Sequence, residues 1–144
     1  MFGRWINKEH RITSNATAKT DSNRIGEIAE KSACKWLQQQ GLTLIQKNYR
    51  CRTGEIDLIM HDNEHLIFVE VRFRSRNHFG SAAASVDHRK QRKLIHAASH
   101  FLTQQSPFNH LPCRFDVIAA QAPDNNAKIP TEHQWSWLKS AFTT

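Results

Sequence analysis

The chain is poor in the residues that several common site types require. Its three cysteines, Cys34, Cys51 and Cys113, are odd in number, far apart and without a Cys-x-x-Cys pair. That spacing argues against a disulfide framework and against a structural zinc site. Only five glycines are present and none belongs to a glycine-rich phosphate loop, which argues against P-loop or Rossmann nucleotide binding. There is no Gly-x-Ser-x-Gly and no family-type Cys–His pairing, so covalent acyl chemistry is also disfavoured. No apolar run approaches the roughly 20 residues of a membrane span. Met1–Thr20 lacks the apolar centre of a secretion signal, and the expectation is a cytoplasmic protein. Acids are scarce as well: 13 Asp and Glu face 20 Lys and Arg, for a net charge of +7 and a pI near 9.7. A balance of that sign favours an anionic partner, most commonly nucleic acid; a membrane surface or plain solubility accounts for it equally well.

What is present suits one soluble domain. At 144 residues, with 39% hydrophobic and 23% charged residues, the chain can bury a respectable core. Residues 1–20 are basic and polar without periodicity and read as a flexible arm, leaving 21–144 as a single domain. Asp21 or Ser22 caps a helix running to Gln40, with Gly41 as its stop. Ile25, Ile28, Ala29, Ala33, Trp36 and Leu37 form its buried stripe, and Glu30 lies at the border of that stripe. Three strand-like stretches follow, Thr43–Arg50, Glu55–His61 and His65–Arg74. A second helix begins at Ser85 or Val86 and reaches about Gln105. Its stripe is Leu94, Ala97, Ala98, Phe101 and Leu102, and Lys90 lies one turn before Leu94. Arg114–Ala120 and Gln134–Lys139 read as two more strands. The order α-β-β-β-α-β-β predicts an α/β fold with a central mixed sheet flanked by helices. Of the nine histidines, only His96 and His100 share a predicted helix face. They lack an intervening acid and a third ligand, so solvated histidine is the better reading.

One constellation stands apart. Gly54-Glu55-Ile56-Asp57 lies in one apolar strand, and Glu70-Val71-Arg72 begins thirteen residues after Asp57 in another. A carboxylate withdrawn from water costs several kcal/mol unless a charge or a metal compensates it. Alternation puts Glu70, Arg72 and Arg74 on one face, and Val69, Val71 and Phe73 on the other. A hairpin turning at His61–Glu64 would bring Asp57 and Glu70 together. Two carboxylates at one point of a basic protein suggest a divalent-cation site acting on phosphodiesters. The plain alternative is that Asp57 closes a strand while Glu70 pairs with Arg72 or Arg50.

Over nearly all of residues 24–142 the sequence resembles the YraN-type family of small bacterial proteins. The matching elements are Gly26, Glu30-x-x-Ala33-x-x-Trp36-Leu37, Gly41, Asn48 and Gly54-Glu55-Ile56-Asp57-Leu58-Ile59. They continue with Phe68-Val69-Glu70-Val71-Arg72-x-Arg74, Phe79-Gly80, Lys90, Arg114-Phe115-Asp116-Val117 and Ala141-Phe142. That family is grouped by fold with the restriction-endonuclease-like superfamily and its Holliday-junction resolvases. The resemblance implies a metal-dependent nuclease acting on DNA, with branched or structured DNA as one substrate form. Asp57 and Glu70 match the metal-binding acids, and Mg²⁺ or Mn²⁺ would be held by them with the Val71 carbonyl and water. Arg72 stands where the superfamily motif has lysine. Arginine stays charged and cannot act as a base, but it can grip a phosphate. The resemblance leaves two routes open: Lys90 takes over the lysine's task and orients water, or catalysis is lost. Glu30 would tune the metal's surroundings, and Arg89, Arg92 and Lys93 would meet the nucleic-acid backbone. Related nucleases act as dimers, so a homodimer is compatible with this reading. Its rivals are a non-catalytic nucleic-acid-binding module of the same fold and an adaptor using the aromatic segment around Trp135, Trp137 and Phe142.

Overall fold

A computed structural model describes residues 6–74, 86–104, 106–121 and 135–144. The elements are α1 (Ile6–Gln39), β1 (Thr43–Cys51), β2 (Gly54–His61), β3 (Leu66–Arg74), α2 (His88–Thr103), β4 (Cys113–Gln121) and β5 (Trp135–Phe142). The expected order α-β-β-β-α-β-β is the observed one. The strands form one sheet in the sequence order β1-β2-β3-β4-β5. Every neighbouring pair is antiparallel except β3–β4, whose parallel register runs from Leu66↔Cys113 to Arg74↔Gln121. Parallel strands need a long crossover, and α2 lies in that connection.

Side-chain alternation along β3 divides the core into two layers. Leu66 and Phe68 pack with Leu94, Ala97, Ala98 and Phe101 of α2. Ile67 and Val69 pack instead with Ala33, Cys34 and Leu37 of α1. Helix α1 ends as its glycine predicts. Gly41 has φ 100°, its amide donates to the Gln38 carbonyl, and the Leu42 amide donates to the Leu37 carbonyl. These are the bonds of a left-handed C-terminal cap. Helix α2 starts at a capped end, where Asp87 Oδ1 accepts from the Lys90 amide at 2.8 Å.

The start of α1 corrects the sequence expectation. Residues 1–5 of the stretch read as an arm lie outside the described residues, but from Ile6 the backbone is helical, well before Asp21 and Ser22. Residues 6–20 contain neither proline nor glycine, so a helix nucleated on its packed half extends without a breaker. Ile28 is a second correction: it is 41% exposed, whereas Ala29, Ala33, Cys34 and Leu37 form the buried stripe. Ser85, Phe79-Gly80 and Gln134 lie outside the described residues. The aromatic C-terminal segment packs on the sheet: Trp137 meets Trp36 edge-on at 6.1 Å, and Phe142 stacks on Phe115 at 4.8 Å. Among the described residues, no helix is long and apolar enough to cross a membrane.

Beneath that edge Asp116 is fully buried and satisfied by four donors. Arg114 supplies two, at 2.9 and 3.0 Å; the Trp137 indole and the Ser140 amide supply the others at 2.9 Å. The β4–β5 register shifts beside it, and Ser140 has φ 52°. The carboxylate therefore fastens an irregular strand edge, a structural role.

Candidate functional site

Strict alternation in β2 would place Ile56 on the face of Leu58 and Met60. Instead Ile56 packs in the α2 layer, with Ile59 and Phe68, while Leu58 and Met60 lie in the α1 layer. The strand turns over at Asp57. Across the ladder, between the pairs Lys47↔Leu58 and Tyr49↔Ile56, Asn48 adopts φ 49°. Asparagine tolerates this left-handed region better than most residues, and it occupies the strand where the kink needs it. The Asn48 side chain also hydrogen-bonds Glu30 of α1.

The kink frees Asp57 to act as a ladder partner through its side chain. Pairing of β2 with β3 ends at Leu58↔Val69. Beyond it, the Val71 amide donates to Asp57 Oδ2 at 2.8 Å. Val71 thus enters the site through its N–H. Its side chain packs toward α1, on the face opposite Glu70.

Glu70 is 4% exposed. Its Oε1 lies 3.3 Å from Arg72 Nε and 3.4 Å from Lys90 Nζ. Arg72 reaches it along the same face of β3, and Lys90 reaches it from the first turn of α2. Arg50, the other partner weighed for Glu70, pairs instead with Glu55 at 3.4 Å. Two carboxylates in one partly buried place resist ionisation together. Burial, and then repulsion from Asp57, pushes the Glu70 carboxyl up to about 7, against the pull of Lys90 and Arg72. Burial also raises Asp57, opposed by the Val71 hydrogen bond and by Lys90. Glu30 is raised by burial and by the negative charge of Asp57. The structure therefore joins Asp57, Glu70, Arg72 and Lys90, with Glu30 near enough for the Asp57 charge to raise it. Arg89 and Arg92 are exposed on α2.

The residues fit a hard divalent cation. With both acids ionised, Glu70 Oε2 is buried and has no hydrogen-bond partner, a costly state that a cation would relieve. Among the described residues no three His, Cys, Asp or Glu converge, so the donor set is two carboxylates. Magnesium suits such a set, because it keeps several waters and takes one or two protein carboxylates. Asn48 was singled out in the sequence only as part of the family pattern. Its signal was an αL-tolerant residue in the middle of a strand, and only the fold shows the kink it serves.

Comparison with known proteins gives the chain its family. The profile described as "Uncharacterised protein family UPF0102" matches residues 29–120. A UPF0102 protein of Alcanivorax borkumensis is 47% identical over 117 residues, covering 81% of this chain and 90% of its own length. One from Saccharophagus degradans is 49% identical over 121 residues, covering 84% and 94%. A third, from Pseudomonas putida strain W619, is 48% identical over 117 residues, covering 81% and 91%. The matched span holds the whole of the Asp57, Glu70, Arg72 and Lys90 cluster, and the chain belongs to the uncharacterised protein family UPF0102.

Proposed function

We propose that the protein is a metal-dependent nuclease acting on DNA, with Asp57 and Glu70 as ligands of one Mg²⁺ or Mn²⁺. The observation that carries this reading is Glu70: buried, raised in pKa beside Asp57, and with a second oxygen, Oε2, that no N–H of the described residues reaches. When bound, such a cation polarises a phosphoryl oxygen and lowers the pKa of water. The chain's own residues do the rest. Asp57 is aimed by the Val71 amide, and Asn48, across the ladder, takes up the backbone turn at the kink that presents it. Arg72 cannot release its proton, so its part is to grip the phosphate and offset the charge that develops on it. Lys90 has three donors, of which one is engaged by Glu70, leaving others to orient water at the phosphate.

Arg72 and Lys90 converging on Glu70 Oε1 also favour a second reading, a nucleic-acid-binding module of the same fold in which this cluster only stabilises the sheet. Cleavage of single-stranded, duplex, flap and four-way-junction DNA, with Mg²⁺ or Mn²⁺ against chelator, separates the two. Metal-dependent cleavage lost in Asp57→Asn and Glu70→Gln supports the nuclease. Binding without cleavage of any form supports the module.

A further inference from the structure

Beside Lys90 the surface sinks into a pocket of about 380 Å³ between the β1–β2 turn and α2. Arg50 comes from the end of β1, Arg52 from the turn, and Lys90 and Lys93 from the helix. Among the described residues the only acid in the lining is Glu55, already engaged by Arg50. We propose that this pocket is a subsite for a backbone phosphate of the DNA strand that passes the Asp57–Glu70 centre. The inference deepens the nuclease reading and rests on it for the path of the strand.

Three observations support it. The pocket gathers four cations around one paired carboxylate, so an anion is the complementary guest. Lys90 belongs both to this pocket and to the Glu70 cluster, which makes the two places contiguous. A guest with anions repeated along a chain fits such neighbours better than a single small anion does. The spacing is also fixed by backbone. A Cβ at Gly54 would stand 2.5 Å from the Lys93 carbonyl oxygen, so the turn rests directly on α2. Glycine at 54 lets the hairpin cations approach the helix cations without a side chain between.

The test is binding of a fluorescent single-stranded oligodeoxynucleotide in chelator, followed by anisotropy over a salt series. Arg52 and Lys93 are exposed and outside the metal cluster. Each phosphate contact on a single strand adds about 0.7 to the slope of log affinity against log salt. Arg52→Ala/Lys93→Ala should thus lower the slope by about 1.4 and weaken binding roughly twenty-fold at about 0.1 M salt. Lys31→Ala/Lys35→Ala is the control, because those lysines line a separate groove on the α1 layer. It should change binding little. Cys51 also lines the pocket, whereas Cys113 is exposed at the far end of β4. Oligonucleotide should therefore slow alkylation of Cys51 and not of Cys113. No binding by the wild type, equal losses in both double variants, or equal protection of both thiols would overturn the subsite. Chelator makes these outcomes independent of cleavage. Pocket-dependent binding without any cleavage would remove the nuclease and keep the subsite, and cleavage with an unaltered Arg52/Lys93 double variant would do the reverse.

Discussion

Replacing Glu70 by glutamine should make the metal-free protein more stable at about pH 8 and flatten its stability between about pH 5 and pH 8. Folding shifts this carboxyl from 4.5 to about 7. Between those values the folded protein keeps a proton that the unfolded chain has released. Stability therefore falls as pH rises through the window; below 4.5 both states are protonated and the loss vanishes. At about 1.4 kcal/mol per unit, a shift of this size corresponds to about 3 kcal/mol. Asp57 and Glu30 are raised too and act in the same direction, so the slope belongs to the cluster, with Glu70 its largest part. Asp62 is lowered and loses its contribution only at more acid pH, outside the window. Urea unfolding in chelator, at several pH values, measures the slope. A wild-type stability that is flat or rises from pH 5 to pH 8, or a Glu70→Gln protein with the wild-type slope, would refute the reasoning.

Other substitutions test neighbouring parts of the account. Asp116→Ala removes the acceptor of four hydrogen bonds and leaves Arg114, whose side chain is 13% exposed, without its bidentate partner. Urea unfolding should show a loss of about 3–5 kcal/mol, and a loss under about 1 kcal/mol would deny the fastening role. Gly54→Ala should destabilise by about 1–3 kcal/mol, because the Lys93 carbonyl is backbone and cannot swing aside; a neutral result would mean that the turn is not seated on α2. For cleavage, Arg72→Lys should retain measurable metal-dependent activity and Arg72→Ala should lose most of it. Lys90→Ala should fall as far as the Asp57 and Glu70 variants, provided circular dichroism shows each protein folded. An Arg72→Ala enzyme of wild-type rate would remove the phosphate grip.

Much of this architecture was legible in the sequence because its elements are strongly patterned. Gly41 marked the end of α1, period-two alternation in Leu66–Arg74 separated Glu70 from Val69 and Val71, and the turn at His61–Glu64 set the hairpin. Lys90 was placed by helical spacing from Leu94, and in the fold it meets Glu70. What sequence spacing did not show depends on contacts distant along the chain. The turning-over of β2 at Asp57 is accompanied by a left-handed Asn48 on another strand. Arg50 reads as the end of a strand, and its place with Arg52 beside the α2 cations shows only when α2 is laid against them. Asp116 reads as one acid in an apolar strand, and only β5 reveals the two donors, the Trp137 indole and the Ser140 amide, that join the two from Arg114. The beginning of α1 was misread for a different reason: capping residues are common in polar sequence, and nothing at Asp21 or Ser22 forces a helix to begin there.

The central claim is that Asp57 and Glu70 together hold one divalent cation. Calorimetric titration of the metal-free protein with Mn²⁺ at about pH 8, where the Glu70 carboxyl has released its proton, tests it most directly. The account predicts one site per wild-type chain, lost in both Asp57→Asn and Glu70→Gln while each variant remains folded and still binds DNA. A wild type that takes up no Mn²⁺, or variants that take it up as the wild type does, would contradict it.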